Sequence, residues 1–81
     1  MDKLKPLSKK AKALKIGEYE HYKGHKYRPL YVGRHSDTLE EIVVYQGLYK
    51  NNPIWVRNIN IFLEKVEVDG KKVPRFKYVG K

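Results

Sequence analysis

Tyr27-Arg28-Pro29-Leu30-Tyr31-Val32-Gly33, Arg34-His35-Ser36-Asp37-Thr38 and Glu41-Ile42-Val43-Val44-Tyr45 decide the fold. The outer two stretches are rich in aromatic and β-branched residues and read as strands. The middle one is polar and reads as the connection between them. In the first strand, Leu30 and Val32 fall on one face and Tyr27, Pro29 and Tyr31 on the other. Proline has no N–H to give to a ladder, so this strand is expected to be an edge or to be bulged.

The same period extends outward. Tyr19 and His21 belong to a short strand, and Lys23-Gly24 to the hairpin turn that follows it. The third strand spans Glu40 to Tyr49, with a bend at Gly47. The fourth, Ile54 to Arg57, starts after Pro53 and carries the single tryptophan, Trp55. Alternation then stops. Ile59, Phe62 and Leu63 are spaced as in one helical turn, with Asn58 as its cap. Val66 and Val68 alternate again, Asp69-Gly70 is a hairpin turn, and Val73, Phe76 and Tyr78 end the chain. Pro74 marks that last strand as another edge. The fold expected is mainly β: a small SH3-like, strongly bent antiparallel sheet or partly open barrel of five to six short strands. Leu30, Val32, Val44, Trp55, Val56, Phe62 and Val66 are its expected core.

Residues 1–16 form a lysine-rich arm, and residues 17–81 the β domain. Ser8 caps a short helix that ends by Gly17, with Leu7, Ala11 and Leu14 on one stripe. Lys9 and Lys10 lie at the positive end of its dipole, so the helix needs its stripe docked on the body. The chain before Pro6 is expected to fray.

With 81 residues there is room for one domain. No cysteine is present, which excludes disulfides, thiolate metal sites and cysteine catalysis. The 18 Lys and Arg against 9 Asp and Glu give a net charge of +9. Much of the excess lies in the arm, where Lys3, Lys5, Lys9, Lys10, Lys12 and Lys15 face Asp2 alone. No apolar run is long enough for a signal peptide or a membrane span, so a cytoplasmic protein is expected.

Several spaced motifs resemble one bacterial family. They are Gly17-x-Tyr19-x-His21-Tyr22-Lys23-Gly24, Arg34-His35-Ser36-x-Thr38, Val43-Val44-Tyr45-x-x-Leu48-Tyr49, Trp55-Val56-Arg57, Phe62-x-x-x-Val66 and Pro74-Arg75-Phe76. The family is catalogued as domain of unknown function sixteen-fifty-three. The likeness covers residues 17–78 and leaves out the lysine-rich start. Asn58 departs from it, since the family more often has proline after Trp-Val-Arg. The resemblance implies a compact stand-alone domain and brings no activity, substrate or cofactor, so function rests on the residues.

Those residues leave three readings. Arg34, His35 and Ser36 with His21, Tyr27, Tyr31 and Arg57 make a candidate binding face of arginine beside aromatics. Such a face stacks bases of RNA or single-stranded DNA, with the basic arm meeting phosphates. The same groove suits an adaptor for an extended peptide. Thirdly, His21, His35 and Glu41 could converge as an acid–base or metal site. Against each stands a structural role. Ser36, Asp37 and Thr38 are turn formers, tyrosine is a good strand residue, and Arg57 and Arg75 could pair with Glu41 or Glu64. The protein expected is a non-enzymatic nucleic-acid-binding module with no metal or cofactor.

Overall fold

The computed structural model describes residues 5–81. The expected fraying of the chain start falls in part on residues 1–4, which lie outside the described residues. Nine elements follow in order: α1 (Lys9–Lys12), β1 (Glu18–His21), β2 (Lys26–Arg34), β3 (Glu41–Gly47), β4 (Ile54–Asn58), α2 (Ile59–Phe62), β5 (Lys65–Val68), β6 (Lys71–Pro74) and β7 (Phe76–Gly80). Five strands form one antiparallel sheet in the order β4-β3-β2-β1-β7, and β5 and β6 form a separate hairpin. The bent, mainly β architecture is therefore present, with one strand more than expected and without closure into a barrel. No helix among the described residues is long and apolar enough to cross a membrane.

The turns follow their residues. Gly24, at φ +114°, turns β1 into β2. Asp69 and Gly70 both have positive φ, the backbone that a two-residue hairpin requires. Asn58 accepts a hydrogen bond from the Asn60 N–H at 2.8 Å and caps α2.

Pro29 sits in a central strand, not at an edge. β2 lies between β1 and β3, and its register slips between Pro29 and Tyr31. Leu30 is the extra residue of a bulge. The bulge inverts the alternation beyond it. Pro29 is buried, Leu30 and Tyr31 both face out, and Val32 turns in to pack on the core. Leu30, expected on the core face with Val32, therefore lies on the opposite face, because a strict period of two assumes an unbroken ladder.

The core is Ala11, Tyr19, Val43, Tyr45, Ile59, Phe62 and Phe76. Phe62 is fully buried, as expected. Trp55 and Val56 are 47% and 60% exposed, so they are not core. Val44 faces the opposite side of β3 from Val43 and Tyr45 and is half-buried, as are Val32 and Val66. The arm helix docks through its predicted stripe: Ala11 is buried, with Leu7 and Leu14 against the core. Leu63, expected on the α2 stripe, is exposed at the helix end.

Candidate functional site

The seven candidate residues do not form one face. Arg34 pairs with Glu41 at one end of the β2–β3 ladder, while His21 lies beyond Lys26 at the other end. About 26 Å of strand separates those ends at ~3.3 Å per residue. His21, His35 and Glu41 therefore do not converge. No group of three or more His, Asp or Glu able to hold a metal occurs among the described residues.

The polar run is a hydrogen-bonded turn. His35 N–H donates to the Glu40 carbonyl and Leu39 N–H to the His35 carbonyl, both at 2.8 Å. His35 Nδ1 accepts from the N–H groups of Asp37 (3.2 Å) and Thr38 (3.3 Å). Ser36 is exposed at its tip. Tyr31, 72% exposed, stands on the outer face of the sheet.

Arg34 and Glu41 instead hold the arm. The Arg34 guanidinium donates to the Lys5 carbonyl. Ser8 donates to the Glu41 carboxylate from its N–H at 2.7 Å and from Oγ at 2.6 Å. These two hydrogen bonds, with help from Arg34 and Lys10, hold the Glu41 carboxyl below its ordinary value. Lys10 Nζ donates to Asn60 Oδ1 across the same junction. A shallow depression of about 680 Å³ lies there, with Lys5, Ser8, Lys10, Arg34, Glu41 and Asn60 among its walls.

His21, Tyr27 and Arg57 are brought together on the concave face. A cleft of about 180 Å³ is lined by Tyr27, Tyr45, Trp55, Arg57 and Phe76. These residues come from β2, β3, β4 and β7, so both edge strands of the sheet reach one cleft. Only strong bending allows this. The floor is a set of edge-to-face rings: Tyr27–Tyr45 at 5.6 Å, Tyr27–Phe76 at 5.4 Å and Tyr45–Phe76 at 5.4 Å. Beneath them Phe76 stacks on Phe62 at 4.3 Å.

Polar groups fix the rim. Arg57 Nε donates to the Tyr45 hydroxyl at 3.1 Å, which leaves the outer guanidinium nitrogens free of that bond. Trp55 Nε1 donates to the Tyr49 hydroxyl at 3.1 Å. The Tyr27 hydroxyl lies 3.4 Å from that of Tyr49, and burial together with this contact raises the Tyr27 phenol to about 12. His21 packs edge-on against Phe76 at 4.9 Å and Tyr27 at 6.1 Å. Burial first, then Arg57, Arg75, Lys23 and His25, lowers its pKa. The charges that act most on it, on Arg57, Arg75 and Lys23, are cationic. Of the two arginines expected to form ion pairs, Arg75 does so with Glu64 at 2.7 Å. Arg57 has no carboxylate partner among the described residues.

Phe76 and Tyr45 were not among the candidate site residues. Tyr45 and Trp55 were legible as cross-strand neighbours, and Trp55 and Arg57 as an i, i+2 pair on one face. Phe76 arrives from the far edge, which no local pattern foretells.

Comparison with curated proteins gives no match. The sequence profile of the family described as "Protein of unknown function (DUF1653)" matches residues 17–78. Among solved structures, the chain is similar to a crystal structure of a DUF1653 protein from Bordetella bronchiseptica. The two are 38% identical with a TM-score of 0.79, covering 86% of this chain and 92% of that one. The profile takes in all five residues that line the cleft, and the chain belongs to the DUF1653 family.

Proposed function

We propose that this protein is a binding module for single-stranded nucleic acid, RNA or DNA. One base stacks in the Trp55 cleft, and Arg57 and the lysine-rich arm meet the phosphates. The observation that carries this reading is an aromatic cleft whose lining cation, Arg57, has no carboxylate partner among the described residues. Aromatic faces hold bases of any sequence, and arginine beside them adds cation–π and phosphate contacts. At about 180 Å³ the cleft is smaller than the ~300–1,000 Å³ usual for a small-molecule pocket. It suits a single ring system belonging to a longer ligand. Its lining supplies stacking faces and N–H donors, with the His21 imidazole packed against Phe76 and Tyr27 beside it.

Trp55 is the single tryptophan, so its fluorescence reports on the cleft directly. Titration with short oligonucleotides of RNA and single-stranded DNA at two salt concentrations tests the proposal. Quenching should be saturable and should weaken steeply with salt, because each phosphate contact releases counterions. Replacing the exposed Lys9 and Lys12 by glutamine, which leaves Leu7, Ala11 and Leu14 docked, should weaken binding to all sequences alike and flatten the salt slope. Arg57→Gln should do the same by about one contact, whereas Tyr27→Ala should weaken binding with the slope kept. Absence of binding at low salt would overturn the reading. Saturable quenching by a proline-rich peptide in its place would assign the cleft to peptide capture.

A further inference from the structure

We propose that the free edge of β4 pairs antiparallel with the same edge of a second copy of this chain, about a two-fold axis at Val56. The sheet has two edges, β4 and β7. β7 follows Pro74 and Arg75 and exposes Lys77, the kind of residues that discourage edge pairing. β4 is unguarded. Ile54, Trp55 and Val56 are all exposed, and neither proline nor lysine interrupts the strand.

The backbone phase fits. Gly47 N–H donates to the Pro53 carbonyl at 2.8 Å, so Pro53, Trp55 and Arg57 direct their main-chain groups toward β3. Ile54, Val56 and Asn58 then direct theirs out of the sheet. Placing Val56 opposite the partner's Val56 sets Ile54 opposite the partner's Asn58 and Trp55 opposite the partner's Arg57. The whole strand is used. On the concave face each indole meets a guanidinium, a cation–π pair. On the outer face the row Tyr31–Val44–Val56 runs on into its copy, and Tyr31 and Val56 are 72% and 60% exposed in the single chain. The competing registers are poorer. Centring on Arg57 opposes two guanidiniums, and centring on Trp55 leaves Asn58 outside the ladder. A two-fold pairing is also closed, so it ends at two copies.

The test uses the full chain, freed of nucleic acid. Sedimentation equilibrium up to about 1 mM protein covers even a weak pairing. The mass should rise with concentration from one copy to two. Val56→Lys puts like charges on the axis and should weaken association at least tenfold with circular dichroism unchanged. Register is read by cross-linking, since the chain has no cysteine of its own. Directly opposed Cα atoms lie about 5.5 Å apart, within disulfide reach. Val56→Cys should therefore form a covalent dimer on oxidation. Ile54→Cys should not, because the two copies would be offset by four residues, about 13 Å. A one-copy mass at every concentration would overturn the proposal. So would unchanged association of the Val56→Lys variant, or equal cross-linking of both cysteine variants. The cleft reading stands apart, since oligonucleotide binding is measured on the Val56→Lys monomer.

Discussion

Replacing Phe62 by alanine removes the side chain on which the two halves of the core meet. Phe62 is fully buried. It stacks on Phe76 at 4.3 Å and meets Tyr19 and Tyr45 edge-on at 5.6 and 5.4 Å. Phe→Ala in a packed core costs about 3–5 kcal/mol. Each aromatic contact adds about 0.5–1.5 kcal/mol beyond area. Three such contacts place the change in the upper part of that range, about 4–5 kcal/mol. A chain of 81 residues has a total stability of about 4–12 kcal/mol, so much of it is lost. At ~4–8 °C per kcal/mol, the Tm should drop by at least about 16 °C. Thermal melts followed by far-UV and near-UV circular dichroism measure this, with Tyr31→Ala as an exposed control within ~0.5 kcal/mol of the parent. Phe62→Leu should fall between the two, because it keeps apolar volume and loses the ring contacts. A cooperative Phe62→Ala melt within about 5 °C of the parent would refute the reasoning.

Three further outcomes are expected. Glu41 has a depressed pKa when Ser8 is docked, so this contribution is present above the ordinary value of 4.5 and is lost as pH falls through the lower folded value. Glu41→Gln should release the arm at neutral pH, read as faster tryptic cleavage after Lys9, Lys10 and Lys12 with the β domain left intact. The His21 pKa is depressed by burial and surrounding cations, and bound phosphates would oppose those cations. Its pKa should therefore rise on oligonucleotide binding, and affinity should increase as pH falls through the bound value toward the free one; an NMR titration of the imidazole with and without ligand checks both. Gly17 has φ +146°, and a Cβ there would lie 2.7 Å from the Gly80 carbonyl oxygen and 2.9 Å from Tyr78 Cε1. Gly17→Ala should destabilise by about 1–3 kcal/mol in urea melts, whereas Gly33→Ala, which meets open space, should not.

Local chemistry made much of this fold legible. Ser8 and Asn58 cap their helices, Asp69-Gly70 turns its hairpin, and Leu7, Ala11 and Leu14 dock, because each depends on neighbours a few residues away. Core membership was harder. Trp55 and Val56 are as apolar as any core residue, but β4 is an edge, and edge position is set by strand order. The site divided along the same line. Tyr27 and Arg57 sit in the cleft, with His21 packed against Tyr27 and Phe76, whereas Arg34, His35 and Ser36 build a turn and an arm anchor. The composition of the polar run fits both roles. Only the pairing of Arg34 with Glu41, far along β2 from His21, separates them. Phe76 enters the cleft because the sheet curls, a property of the whole.

The bulge at Leu30 makes β2 sensitive to length in a particular way. Side chains along a strand are counted in twos, and this strand carries one odd residue at its middle. Deleting Leu30 would make the ladder regular and change no pairing: Tyr31 stays outside opposite Val44, Val32 inside opposite Val43, and Arg34 beside Glu41. Deleting Gly33, with the bulge kept, would move Arg34 opposite Ile42 and turn its guanidinium to the face away from the Lys5 carbonyl. One lost codon is thus silent for the arm at Leu30 and unseats it three residues later. For this strand the place of a lost residue carries as much information as its identity.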